Sequence, residues 1–254
     1  MDTPCLVLEN LTKEFGGLTA VDHLHLEIKA GERHGIIGPN GAGKTTLFNL
    51  ICGDLTPSSG RVIHFGNDVT KLPTHKRIAL GISRTFQINK LFPKLSVLQN
   101  VLLAAQGLEK TKYVMYRPIS SYDHLREKAR TILEEFEMWD KRNALIENLS
   151  YGEQRQIEIC MALIEKPRLL LLDEPTAGLS RAETMAFTAI LKKLASDISI
   201  LLIEHDMDVA FDLVENVTVL QFGGLVVTGS KEDIKENKTV QEIYLGTEGN
   251  ELWC

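Results

Sequence analysis

Gly38-Pro39-Asn40-Gly41-Ala42-Gly43-Lys44-Thr45 follows the short apolar run Gly35-Ile36-Ile37 and opens a helical stretch that begins near Thr45. It fits G-x-x-x-x-G-K-[ST] in full, in the strand–loop–helix setting that the motif requires. The chemistry accounts for the spacing. Glycines let backbone N–H groups converge on phosphate oxygens, while the following helix presents the positive end of its dipole. Lys44 reaches the β- and γ-phosphates, the Thr45 hydroxyl ligates magnesium, and Thr46 can donate to the α-phosphate. An ordinary glycine-rich turn is the bland rival, and the strand and helix on either side weigh against it.

A nucleotide site also needs a metal shell and a water. Leu169-Leu170-Leu171-Leu172 is an apolar strand that ends in Asp173-Glu174. A carboxylate at that end holds the magnesium shell, through water, and this role falls to Asp173. Glu174 is left to orient or deprotonate the attacking water. Acidic strand ends also serve as helix caps; beside the phosphate loop the catalytic reading prevails.

Further along, Leu24, Leu26 and Ile28 alternate with polar residues, the period of a half-buried strand, and Arg61 to Phe65 reads as another. Val97, Val101 and Ala104, then Leu125, Ala129, Ile132, Leu133 and Phe136, fall at helical spacing. Gln106 to Tyr122 lacks clear periodicity and reads as a variable connection. Ile200 to Ile203 is a second continuous apolar run, as in parallel strands buried on both faces, with a helix expected over Ala182 to Ala195 between the two runs. Short strands are expected around Val217–Leu220 and Leu225–Val227. Strands alternating with helices predict an α/β fold with a largely parallel sheet.

The bulk numbers exclude some partners. The 28 basic and 34 acidic side chains give a net charge of -6, which argues against nucleic acid. No apolar run approaches the ~20 residues needed to span a bilayer. The N-terminus has no secretory signal pattern. Cys5, Cys52, Cys160 and Cys254 are scattered without a CxxC pair, which predicts reduced thiols rather than disulfides or zinc. The one approach to a guanine-recognition motif, Asn89-Lys90-Leu91-Phe92, has Phe where Asp is required, so a GTPase is rejected.

Leu149-Ser150-Tyr151-Gly152-Glu153 reads as a helix start with an S-x-x-E capping box, and equally as an anion site. Taken with the loop and the Asp173-Glu174 strand end, it makes the chain resemble the nucleotide-binding subunit of an ABC transporter, from Leu11-Thr12-Lys13-Glu14-Phe15 to Tyr244-Leu245-Gly246. The resemblance implies one domain over 1–254. Its core is an ABC-type P-loop NTPase with a mixed, largely parallel sheet and an antiparallel β region (1–87 and 166–254). A helical subdomain, 88–165, is inserted and carries the signature motif.

By the same resemblance Leu149 to Glu153 is that signature, Ala177-Gly178-Leu179-Ser180 is the D-loop, and Gln87 touches magnesium and faces the membrane subunit. His205 is the switch histidine at the γ-phosphate, and Phe15 stacks on adenine with Val21 packed nearby. Lys44, Gln87, Glu174 and His205 form the implied catalytic set. Ser150 and the Gly152 N–H would act in trans, on the γ-phosphate of ATP held by a second subunit. Two departures stand out: Glu153 replaces the usual Gln of the signature, and Ser180 the usual Asp or Asn of the D-loop.

Gly81-Ile82-Ser83-Arg84-Thr85-Phe86-Gln87, Leu91-Phe92-Pro93 and Ser96-Val97-Leu98-Gln99-Asn100-Val101 resemble the branched-chain amino acid importer ATPases of the LivG type, a group that includes ATPases for urea and short amides. The implied setting is peripheral, on the cytoplasmic face of the inner membrane. A homodimer, or a heterodimer with a paralogous LivF-like ATPase, would drive two polytopic permease subunits fed by an extracytoplasmic solute-binding protein. A soluble iron–sulfur assembly ATPase is the alternative within the fold.

Overall fold

The computed structural model describes residues 3–85, 91–107, 109 and 122–245. The alternation at Leu24, Leu26 and Ile28 belongs to β2 (Leu18–Ile28), which pairs antiparallel with β1 (Leu6–Phe15). β4 (Ser59–His64) and β5 (Asn67–Asp68) complete a four-stranded antiparallel sheet of order β2-β1-β4-β5. The second sheet has the order β10-β9-β3-β8-β7-β6. In chain order its strands are β3 (Arg33–Ile37), β6 (Ile82–Arg84), β7 (Leu169–Asp173), β8 (Ser199–Ile203), β9 (Asn216–Gln221) and β10 (Gly224–Ser230). β9, β3, β8, β7 and β6 run parallel, and β10 returns antiparallel to β9.

Every residue of β7 and β8 is buried, as the continuous apolar runs predict. Alternate side chains serve two different cores. Leu170, Leu172, Ile200 and Leu202 enter the larger one with α3 (Val97–Gln106), α4 (Asp123–Glu135) and α5 (Tyr151–Leu163). Leu169, Leu171, Leu201 and Ile203 enter the other, shared by α1 (Lys44–Cys52) and the antiparallel sheet. The remaining helices are α2 (Thr74–Ala79), α6 (Arg181–Lys192), α7 (Met207–Leu213), α8 (Lys231–Glu236) and α9 (Lys238–Leu245).

The structure adds β6, a three-residue edge strand too short to produce a periodic signal. Helix α6 starts at Arg181, where Ser180 caps it, one residue before the expected 182–195 span, and stops at Lys192. Most of Gln106 to Tyr122 lies outside the described residues.

At the start of β3, buried His34 places Nδ1 2.9 Å from Glu32 Oε1 and Nε2 2.8 Å from Thr218 Oγ1 on β9. Burial alone would raise the Glu32 pKa, but hydrogen bonds from His34, the Lys29 N–H and Asn216 outweigh it and hold the group down at about 2. Cys5, Cys52 and Cys160 are buried free thiols, and burial pushes Cys5 up to about 11 and Cys52 to about 12. Such thiols are unreactive. Cys254 lies outside the described residues. Among the described residues no helix is long and apolar enough to cross a membrane.

Candidate nucleotide-binding site

The carboxyl ends of β3, β8 and β7 are adjacent, and each carries one part of the expected site onto the same edge of the sheet. That edge is where open α/β sheets bind ligands. After β3 the phosphate loop is squeezed between two neighbouring strands. A Cβ on Gly43 (φ 100°) would lie 2.3 Å from the Ala20 carbonyl oxygen, and one on Gly38 (φ 150°) 2.2 Å from that of Leu220. Both contacts are with backbone, which cannot yield, so only glycine fits.

Asn40 and Gly41 crown the loop in solvent, Pro39 is half-buried, and Ala42 is buried. Helix α1 starts at Gly43 with no side-chain cap and no acid in its first turn. Its orphan N–H groups and positive dipole end are thus left to a ligand. Lys44 is 6% exposed and donates Nζ to the carbonyls of Gly38 (2.6 Å) and Pro39 (3.1 Å). Burial lowers its pKa, and the nearby Glu174 and Asp173 carboxylates oppose that shift. Thr45 is exposed and Thr46 half-buried in the same turn.

At the end of β7, Asp173 is 1% exposed. Its Oδ2 accepts from Arg84 Nη2 at 2.6 Å, while the buried Oδ1 has no partner. Glu174 sits in left-handed backbone (φ 48°), a conformation costly for a residue with a side chain and typical of functional sites. Its Oε1 is 2.8 Å from Nε2 of His205, which follows β8. The two residues expected to meet at the γ-phosphate are therefore already in contact. Glu204, missed in the sequence, supports this pair. Its Oε1 accepts from the Thr176 N–H (3.0 Å) and hydroxyl (2.7 Å), and its Oε2 from the His205 N–H (3.2 Å).

Phe15, at the end of β1, is 46% exposed with Lys13 Nζ 5.1 Å from its ring centroid, so it is a surface ring rather than core. Val21 pairs with Lys13 across the hairpin and is fully buried; it underpins this surface without presenting a face of its own. Gln87 lies outside the described residues. The chain reaches that point through Thr85, whose N–H donates to Leu171.

The start of α5 has both halves of the capping box. The Ser150 Oγ accepts from the Glu153 N–H, and the Glu153 Oε2 accepts from the Ser150 N–H at 2.9 Å. The other Glu153 oxygen pairs with Lys141. Hydrogen bonds from Lys141 and Ser150 outweigh burial and hold the Glu153 carboxyl below its usual range. The same box recurs at Ser96 and Ser180, so the box by itself marks no site.

What distinguishes α5 is a second carboxylate. Ser180 donates its N–H (3.0 Å) and hydroxyl (2.7 Å) to Glu183 Oε2. Glu183 Oε1 lies so near Gly152 that a Cβ there would come within 3.0 Å of it, and Ser180 together with the nearby Gly152 backbone holds that carboxyl below its usual range. Ser180 thus holds Glu183 through a donating hydroxyl that an ionised Asp, which only accepts, could not replace. Tyr151 also acts locally: its ring packs on Gly178, where an added Cβ would come within 3.1 Å, and its hydroxyl accepts from Arg155 at 2.8 Å. Lys141, Glu183 and Arg84 were invisible as partners because each acts across a long stretch of chain.

Known proteins agree with this geometry. The family described as ABC transporter matches residues 21–177. The high-affinity branched-chain amino acid transport ATP-binding protein BraF of Pseudomonas aeruginosa is 36% identical, over 97% of this chain and 99% of its own length. LivG of Escherichia coli K12, which carries the same description, is 35% identical with the same coverage. Among solved structures, the ADP conformation of MJ1267, an ATP-binding cassette of an ABC transporter, superposes with a TM-score of 0.86 at 30% identity, covering 96% of this chain and 99% of that one. With a phosphate loop, an Asp-Glu strand end and His205 on one sheet edge, the chain belongs to the ABC transporter family and is a nucleotide-binding ATPase subunit of it.

Proposed function

We propose that the chain powers an importer of branched-chain or other hydrophobic amino acids by hydrolysing ATP between two subunits paired head to tail. The observation that carries the reading is the edge where Lys44, Asp173, Glu174 and His205 meet, in a chain similar to BraF over almost its whole length. Residues 1–87 and 166–254 act as the catalytic core, and 88–165 as the helical subdomain that brings Ser150 and Gly152 to the partner's nucleotide.

The residues present fit a magnesium ion. Asp173 Oδ1 is a buried carboxylate oxygen without a partner, and Thr45 offers an exposed hydroxyl on the first turn of α1. Asp173, through water, and Thr45 would hold the ion together with Gln87. When bound, magnesium neutralises charge developing on the transferred phosphoryl group.

In the reaction, the loop N–H groups of Gly38 to Gly43 and the Lys44 ammonium take the phosphates. Lys44 exchanges the Gly38 and Pro39 carbonyls for phosphate oxygens. Phe15 stacks on the adenine, and Thr46 donates to the α-phosphate. Glu174 orients a water and accepts its proton, while His205 holds Glu174 and donates to the γ-phosphate. Opening of the dimer after hydrolysis passes through Gln87 to the permease. The subunit sits peripherally on the cytoplasmic face of the inner membrane, paired with a copy of itself or with a LivF-like paralogue. Two polytopic permease subunits and an extracytoplasmic binding protein complete the transporter.

Co-expression with permease genes adjacent to its own, followed by reconstitution in vesicles, tests the reading. ATP-driven uptake of leucine, isoleucine or valine that stops with Glu174→Gln is expected. Uptake of urea or short amides instead would correct the substrate. Recovery of the chain only with soluble assembly proteins would overturn the transport role.

A further inference from the structure

Arg84 closes strand β6 beside the site, yet nothing in the proposed mechanism uses it. Its side chain is 9% exposed. One arm of the guanidinium, Nη2, donates to Asp173 Oδ2 at 2.6 Å. The other, Nη1, donates to Asn49 Oδ1 at 2.5 Å and lies 3.5 Å from the more exposed Asp54 Oδ2. The plane sits 5.8 Å from the Phe48 ring centroid. Asn49 and Phe48 belong to α1, the helix that grows from the phosphate loop. A guanidinium is planar and rigid, so anchoring one arm on α1 and another on β7 fixes where the β7 carboxylate points.

The result is an asymmetric Asp173. Oδ2 is committed to Arg84, and Oδ1 is buried and unpartnered. The formal charges of Lys44, Arg84, Asp173 and Glu174 sum to zero, with Asp54 at the rim 3.5 Å from Arg84. A dication arriving alone meets a nearly neutral site in which Asp173 has one oxygen to offer. A dication arriving on a nucleotide brings the phosphate charge that the loop is built to hold.

We infer that Arg84 is a positioning residue: by occupying one oxygen of Asp173 and cancelling its charge, it makes the site take a divalent cation with nucleotide and not without it. The inference rests on the reading of Asp173 as a metal-shell residue. An ion pair that merely braces β6 against β7 would have no bearing on cation binding in the absence of nucleotide.

The probe is Mn²⁺ alone, titrated into the full-length chain and followed by the electron paramagnetic resonance signal of the free ion. Without nucleotide, Arg84→Gln is expected to bind Mn²⁺ at least about tenfold more tightly than wild type, since a charge on the site is lost while the fork is gone. That gain should vanish in Arg84→Gln/Asp173→Asn, and Arg84→Lys, which keeps the charge, should behave like wild type. A folded Arg84→Gln that binds free Mn²⁺ no better than wild type overturns the inference. Should Arg84→Gln not fold, Arg84→Met decides by the same reading: tighter binding of free Mn²⁺ supports the inference, and wild-type exclusion defeats it. Independently, Asp173→Asn that leaves Mn²⁺ binding with ADP unchanged would refute the metal-shell reading itself.

Discussion

Two helix starts in this chain are treated in opposite ways. Helix α1 begins at Gly43 with no side-chain cap and no acid in its first turn. Helix α5 begins at Ser150 with a complete capping box, and Glu183 reaches over from α6 to Gly152 as well. The physics is the same at both, since orphan N–H groups and a positive dipole end attract anions. At α1 the chain leaves that attraction unmet, and a nucleotide can take it whole. At α5 the chain's own carboxylates have answered first. In the proposed pairing, a phosphate from a second subunit would meet the Ser150 hydroxyl, whose oxygen accepts from the Glu153 N–H and whose proton is left to donate. Gly152 lies against the Glu183 carboxylate.

The largest effects should come from breaking the open start. Lys44→Ala is expected to lower ATPase activity of the reconstituted complex by about 10²–10³-fold, the usual loss for one donor to developing charge. Glu174→Gln should cost a similar order in turnover while nucleotide binding, read by fluorescent-analogue titration, persists. Giving α1 a cap like that of α5 is more revealing. Gly43→Ser drives a Cβ onto the Ala20 carbonyl, so thermal unfolding should show a loss of roughly 1–3 kcal/mol with nucleotide binding abolished. A stable Gly43→Ser that still binds nucleotide would mean the uncapped start is incidental.

At the closed start, Ser150→Ala removes the hydroxyl and is expected to lower activity about ten- to hundredfold, the worth of one or two charged hydrogen bonds. The lost cap adds about 1 kcal/mol of destabilisation. Glu183→Gln should act in the opposite sense. Freeing Gly152 from a carboxylate should reduce the ATP concentration for half-maximal activity roughly two- to fivefold. An increase in that concentration would show that Glu183 supports the site rather than competing at it.

Glu153→Gln should be the mildest. Glutamine can still accept from the Ser150 N–H, and the pair lost with Lys141 is partly exposed and worth at most about 1 kcal/mol. The pH dependence follows from the same contacts. The folded carboxyl lies below its ordinary 4.5, so its contribution is complete above that value and fades only as pH falls through the lower folded one. Thermal melts from pH 7 to 3 on wild type and Glu153→Gln should differ fully above 4.5, draw together as pH falls below it, and meet only below the folded value.

The open start was legible in the sequence and the closed one only in part. The phosphate loop works through backbone N–H groups of consecutive residues, so its function is written in eight adjacent letters. The fold-back of Glu153 onto Ser150 is similarly local, since the two lie three residues apart in the S-x-x-E pattern. Lys141 and Glu183 were not foreseen, because pairing residues from separate elements depends on how α5 packs against α6. Ser180, noted in the sequence only as a departure from the usual Asp or Asn, holds Glu183 in place. The short strand β6 was missed for want of a pattern, and with it the partner of Asp173.

By itself the sequence determined the class of chemistry. Gly38 to Thr45 dictates a phosphate cradle, and the apolar runs ending at Asp173 and Ile203 dictate buried parallel strands, because such signals are carried within a few consecutive residues. Tertiary structure alone decided the partnerships. Arg84 meets Asp173 across 89 positions, and His205 meets Glu174 across 31. Both contacts arise because β6, β7 and β8 lie side by side, and strand order is set by how whole elements pack, which no local period records.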